Sequence, residues 1–172
     1  MNRHERERWL TDHAFLNVSA ICGAAEKPNR PTIQRCCALL LNESSGGLNI
    51  YGHEGPCPEL YGQPVTEDNY KNVYKPARER GEGLNGVGPT QLTAKEDQVE
   101  AEQLGGCWNA LYNMDVGFHI LHENIERGGV WWGFAAYNGG DGFEESPGRA
   151  QAEAYADRAV ANEKKLIAEG LE

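Results

Sequence analysis

The most chemically suggestive segment of the chain is Glu43-Ser44-Ser45-Gly46-Gly47, a carboxylate where an apolar helix opens into a glycine-rich turn. Beside a hydrophobic helix face the anion loses solvation and the pKa rises, each unit representing about 1.4 kcal/mol of preference for the acid form. A group poised in this way near neutral pH can give up a proton and take it back, which is general acid/base catalysis. Two later segments stand out beside it: Gly86-Val87-Gly88-Pro89-Thr90-Gln91-Leu92 and Ala135-Ala136-Tyr137-Asn138-Gly139-Gly140. Taken alone, Glu43 reads more often as a capping or exposed carboxylate. In the same way Gln91 and Asn138 read as amides that brace loops, and Tyr155 as a core tyrosine with a satisfied hydroxyl.

A second carboxylate would matter to the chemistry, and Glu54, Asp68, Glu82 and Asp97 are candidates by number only. His53-Glu54-Gly55-Pro56-Cys57 offers two zinc-type ligands, and Cys36-Cys37 lies on a helix that could face them. Adjacent cysteines point different ways on a helix and no Cys-x-x-Cys occurs, so buried free thiols are favoured over a metal site. Trp131 and Trp132 read as core aromatics rather than sugar platforms.

The elements that must position these residues are mainly helical. The apolar spacing predicts a helix over about Arg3 to Cys22, then one that starts at Pro31 and buries Ile33, Cys36, Cys37, Leu40 and Leu41 before Asn42 and Glu43 close it. Residues 48–64 read as irregular loop, and Thr66 to Arg80 as a helix interrupted near Pro76. Thr93-Ala94-Lys95-Glu96 offers a capping box for a helix to about Leu104. A helix over Met114 to Arg127 is stopped by Gly128-Gly129, a short aromatic helix covers Trp131 to Tyr137, and a last one runs from Pro147 to Leu166 with Ser146 as its cap.

With the helices in place, the three segments together resemble the lytic transglycosylase family of the lysozyme superfamily. That family combines a helix-terminal Glu-Ser, a Gly-x-x-Gln loop and an Ala-Tyr-Asn-Ala-Gly motif, with Gly139 here in place of the alanine. Asn113-Met114-Asp115-Val116-Gly117 is similar to the family's Asn-Ile-x-x-Gly helix start, and Tyr155-Ala156-Asp157-Arg158-Ala159-Val160 to its terminal Tyr-Val segment. The matches are in order and cover about Pro31 to Val160. The chain departs from the pattern in reading Gly-Pro-Thr-Gln and in the longer stretch between Glu43 and Gln91. Residues 49–82 are therefore read as an insertion beside the cleft, and the loop wording resembles lysis and tail enzymes of bacteriophages that infect actinobacteria.

The resemblance implies a mainly α, single-domain, lysozyme-like fold and cleavage of the β-1,4 bond between N-acetylmuramic acid and N-acetylglucosamine in peptidoglycan. By the same resemblance Glu43 would protonate the leaving oxygen and then take the proton of the C6 hydroxyl, closing a 1,6-anhydro ring. Ser44 and Gln91 would bind substrate or orient Glu43, Tyr137 and Asn138 would line saccharide subsites, and Tyr155 would hydrogen-bond near Glu43. No cofactor is implied. The alternatives are a hydrolytic muramidase, which would need a second carboxylate about 5–5.5 Å away as nucleophile or about 6.5–9.5 Å away as base, and a non-catalytic wall-binding or virion module.

Composition sets the outer bounds. At 172 residues, 40% hydrophobic and 24% charged, the chain is that of an ordinary globular protein with one core. A net charge of -10 argues against binding nucleic acid, which rests on clustered Lys and Arg. No stretch is long and apolar enough for a membrane span, and residues 1–10 carry no signal-peptide core. The five cysteines are odd in number and irregularly spaced, which favours folding in a reducing compartment. The expectation is a monomer made in a host cytoplasm and released to the cell wall.

Overall fold

The computed structural model describes residues 1–172 except Glu54, Pro56 and Gly83. Its architecture is mainly helical. Helices α1 (Arg3–Asp12), α2 (Val18–Ala25) and α3 (Ile33–Ser44) are followed by an irregular stretch with a 3₁₀ turn at Pro58–Leu60. Next come α4 (Glu67–Asn69), a widened π turn at Tyr70–Tyr74, α5 (Lys75–Glu79), α6 (Lys95–Leu104), α7 (Ala110–Gly139) and α8 (Arg149–Ala168). Extended pairing among the described residues is limited to isolated bridges such as Tyr51 with Val87 and Val87 with Leu92. No helix among the described residues is long and apolar enough to cross a membrane.

The apolar side chains gather into two clusters. The larger joins Leu10, Ile21, Cys36, Leu40, Phe118, Phe134 and Ala156, packing α3 and α7 against α8 and α2 against α7. The smaller collects Tyr51, Leu60, Tyr70, Tyr74, Val87 and Leu92, together with Ala101 of α6 and Val116 of α7. The apolar side chains of residues 51–77 thus pack with those of the following loop, α6 and α7 in a second core, and α6 packs on α7. Beneath it, the Arg78 guanidinium, its side chain 1% exposed, lies 2.8 Å from Glu102 and 2.9 Å from Glu79 and donates to the Tyr70 hydroxyl at 2.9 Å.

Several boundaries differ from the sequence reading, each for a local reason. The first helix is two, because Ala14 and Asn17 adopt positive φ (61° and 54°) and the Asn17 amide reaches the Gly47 carbonyl at 2.9 Å. Pro31 lies outside α3, whose N-cap is Thr32. The break in the Thr66–Arg80 segment comes just before Pro76, which has no N–H to close an ordinary turn on residue 72, so the preceding turn widens.

The capping box at Thr93 does not form: its hydroxyl donates to the Gln91 carbonyl at 3.1 Å, and Ala94 caps α6 without a side-chain bond. Ser146 likewise bonds Phe143 at 3.0 Å, and α8 begins after Gly148. Gly129 (φ 83°, ψ 174°) leaves helical geometry, so α7 consists of two helical limbs that meet there at a kink, in line with the expected stop at Gly128-Gly129, and the first limb starts earlier, at Ala110.

Candidate active site

Glu43 is the next-to-last residue of α3. The helix stops because Ser45 takes the left-handed conformation (φ 52°) and the Gly46 N–H closes on the Leu40 carbonyl at 3.0 Å. Gly47 follows at φ 106°, where a Cβ would lie 2.8 Å from the Leu16 carbonyl oxygen, so the turn that ends α3 is wedged against the α1–α2 connection. The carboxyl emerges half-buried between α3 and α8.

Two bonds fix this crossing. Tyr155 of α8, 3% exposed, donates its hydroxyl hydrogen to Glu43 Oε1, and the Asn42 amide donates to the Tyr155 carbonyl at 3.0 Å. Burial pushes the Glu43 carboxyl up to about 7, against the opposing pull of the Tyr155 hydrogen bond, which favours the anion. The group is therefore divided between acid and base near neutral pH, as a proton donor that must also accept one requires.

The loop facing Glu43 is held from three directions. Ser44 Oγ donates to the Pro89 carbonyl at 2.6 Å and accepts from the Gly47 N–H at 3.2 Å, tying the loop to α3. Asn113 of α7, fully buried, accepts from the Thr90 N–H at 3.0 Å and from its hydroxyl at 2.8 Å, while its own amide donates to the Val87 carbonyl at 2.8 Å. One turn on, Gly117 leaves room for Thr90, since a Cβ there would lie 2.4 Å from the threonine side chain. From the far end of α7 the Tyr137 hydroxyl donates to the Thr90 carbonyl at 2.8 Å.

Gln91 follows Thr90 with φ 50°, and its Nε2 donates to the carbonyls of Gly88 (2.7 Å) and Ile50 (3.0 Å). Its Oε1 lies where a Cβ on Gly52 or Gly86 would stand, 2.6 and 2.5 Å away, so those glycines make its place. That oxygen accepts from no group among the described residues.

These residues surround a pocket of about 440 Å³ lined by Glu43, His53, Gln91, Tyr137 and Asn138, with Gly52, Gly86, Thr93 and Gln151 completing the wall. Among the described residues Glu43 is the carboxylate that lines it. Of the other carboxylates considered, Asp68 and Glu82 are exposed and bonded to Asn72 and Arg80, Asp97 lines the adjoining cavity, and Glu54 lies outside the described residues.

The predicted site residues fall into two groups. Gln91, Tyr137 and Asn138 share the pocket with Glu43, whereas Ser44 and Tyr155 stand behind it and position the loop and the carboxylate. Trp131 and Trp132 do neither, since both rings pack on Phe143 and the Trp131 N–H is bonded to Asp157 at 2.8 Å.

Sequence reasoning missed Gly52, Gly86, Thr93 and Gln151 and weighed His53 only as a metal ligand. The bracing role of Asn113 and Gly117 was not read from the sequence, which marked them only as a resemblance to a family helix start, although residues four apart share a helix face. Among the described residues no group of three or more His, Cys, Asp or Glu side chains is placed to hold a metal, and the five cysteines are buried free thiols. Of the zinc-type segment His53–Cys57, Glu54 and Pro56 lie outside the described residues.

The arrangement can therefore deliver a proton to a bound oxygen and recover one, with the Gln91 and Asn138 amides and the Tyr137 ring along the same pocket wall. No protein-family model, curated protein or solved structure matches the chain.

Proposed function

We propose that the protein cleaves the glycan strand of peptidoglycan at the bond from N-acetylmuramic acid to N-acetylglucosamine, with Glu43 as its acid and base, and that its helical fold is lysozyme-like. The observation that carries this reading is the Glu43 carboxyl itself: divided between acid and anion near neutral pH, held by Tyr155, and facing a pocket in which no other described carboxylate takes part. Cleavage of a glycoside starts with proton donation to the leaving oxygen while positive charge builds on the sugar ring. With no second carboxylate among the described residues that line the pocket, the charge is relieved by the substrate's own C6 hydroxyl. Its proton passes to Glu43 and its oxygen bonds to C1, leaving a 1,6-anhydro product.

The buried free thiols support a protein folded in a reducing compartment, consistent with a phage lysin that reaches the wall from inside its host. Turbidity clearing of purified cell walls tests the reading directly. Wild type should clear them and Glu43→Gln should not; equal clearing by both removes Glu43 from catalysis, and clearing by neither favours a wall-binding module. Mass spectrometry of the digest tests the outcome, since muramic acid with a free reducing end and no anhydro product would make the enzyme a hydrolase.

A further inference from the structure

Three polar side chains that line the Glu43 pocket have already spent their donors. The Gln91 amide is bonded to the Gly88 and Ile50 carbonyls, the Tyr137 hydroxyl to the Thr90 carbonyl and the Thr93 hydroxyl to the Gln91 carbonyl. Each keeps acceptor atoms alone, and Glu43 as an anion adds more of the same. A substrate oxygen that enters such a pocket needs a donor, and an anionic one is best met by a cation. Among the described residues that line the pocket, His53 is the one that can carry positive charge.

The backbone that carries His53 is fixed from both sides. The Gly52 N–H donates to the Gly86 carbonyl at 2.8 Å, and the Gly52 carbonyl accepts from the amide of fully buried Asn85 at 3.3 Å. The imidazole stands edge-on to the Tyr61 ring, with centroids 5.9 Å apart and planes at 65°, and its Cε1 lies 3.7 Å from where a Cβ on Gly62 would stand. Tyr61 in turn donates its hydroxyl to the Gly55 carbonyl at 2.7 Å, and the Gly62 N–H reaches the carbonyl of Tyr51, a fully buried member of the smaller core, at 3.0 Å. The ring is thus placed by its carbon edge, while its nitrogens bond to no described residue and the side chain stays exposed. The stretch between Glu43 and Gln91 therefore brings an imidazole to the pocket with its polar atoms open.

We propose that His53 selects muramoyl strands by donating a ring N–H to an acyl oxygen of the lactyl ether on the sugar whose bond is broken. The proposal rests on the glycan-strand reading of the Glu43 pocket. In that reading the sugar with its C1 at Glu43 is N-acetylmuramic acid, and the lactyl group borne on the same ring shares the pocket with Glu43. That group is all that separates this sugar from N-acetylglucosamine, so the side chain that binds it decides between cell-wall glycan and a chitin-like strand. It ends as a carboxylate where the stem peptide has been removed and as an amide where the peptide is attached, and both present an acyl oxygen. On a protein of net charge -10, a local cation also offsets the repulsion that an anionic strand meets.

Calorimetric titration of the Glu43→Gln protein, which leaves the strand uncut, decides the matter with three β-1,4 tetrasaccharides. One is N-acetylglucosamine throughout. The second alternates it with N-acetylmuramic acid bearing free lactyl carboxylates, and the third is the second with those carboxyls capped as amides. A lactyl-bearing strand should bind about tenfold more tightly than the plain one, as one charge-assisted bond gives, and the tighter of the two names the denuded or the peptide-bearing strand as the preferred form. His53→Ala in the same background should bring it down to the plain strand while leaving the plain strand's affinity unchanged. His53→Gln, which keeps an N–H donor without the charge, should restore part of the preference.

Lactyl-bearing strands that bind no better than the plain one overturn the proposal without recourse to a variant. A preference that survives His53→Ala, or equal losses for all three strands in that variant, overturns the role of His53. The two readings fail separately. No binding by any strand removes the glycan-strand reading together with this one, whereas loss of the lactyl preference alone, with walls still cleared by wild type, leaves the glycan-strand reading in place.

Discussion

The Tyr155 hydroxyl and the Glu43 carboxylate, more than a hundred residues apart in sequence, share one hydrogen bond at the crossing of α3 and α8. The bond favours the anion, so it opposes the burial that lifts the carboxyl to about 7. Tyr155→Phe removes the opposing influence, and the carboxyl should then hold its proton to higher pH. For an enzyme that needs Glu43 protonated at the start, the alkaline limb of the kcat/KM profile should move up, with a lower maximum because the carboxyl is less well positioned. A limb that stays in place, or moves down, would show that another group sets it.

The same carboxyl makes stability depend on pH. Its folded pKa of about 7 stands above the ordinary 4.5, so the folded state binds a proton more tightly than the unfolded chain. The resulting stabilisation is fully present below about 4.5 and is lost as pH rises through about 7. Glu43→Gln cannot ionise and should melt higher than wild type at pH 8, by about 2 kcal/mol once screening of the partly exposed carboxyl is allowed for, with the difference fading towards pH 4. Paired thermal melts at the two pH values measure it.

Asn113 should be the more sensitive position for the loop. Asn113→Ala deletes the acceptor of two bonds from Thr90 and the donor of a third to Val87, all buried. Leaving these groups unpaired should cost about 2–4 kcal/mol in urea denaturation. Catalysis measured well below the melting temperature should also fall, because Gln91 is placed by the same loop.

The smaller core rests on a buried charge. Glu102→Ala would leave the Arg78 guanidinium, which is almost fully covered, with Glu79 as its remaining acid partner. Breaking such a pair from one side costs about 3 kcal/mol or more. Amide hydrogen exchange should show residues 70–79 opening before α3 or α8, and simultaneous loss of protection across all three would mean that the two cores unfold together.

Much of this was readable in the residues. The three-to-four spacing of Ile33, Cys36, Cys37 and Leu40 located α3 and with it the exit of Glu43, and Tyr137 and Asn138 stood out through the resemblance of residues 135–140 to a family motif. What was not readable depends on partners distant in sequence. Nothing near Ala14 marks the end of α1, because the break is held by bonds from Leu16 and Asn17 to Gly46 and Gly47. Thr93 matched a capping pattern, yet its hydroxyl had a better acceptor in Gln91. His53 and Gln151 reach the pocket only because residues 49–82 and the start of α8 fold up to it, which no local pattern encodes.

Thr90 is held by both helical limbs of α7, by Asn113 before the Gly129 break and by Tyr137 after it. The angle between the limbs at Gly129 therefore bears on where Thr90, and Gln91 beside it, is held. A loop braced from both sides in this way is ordered before anything binds, so less ordering free energy is lost on binding.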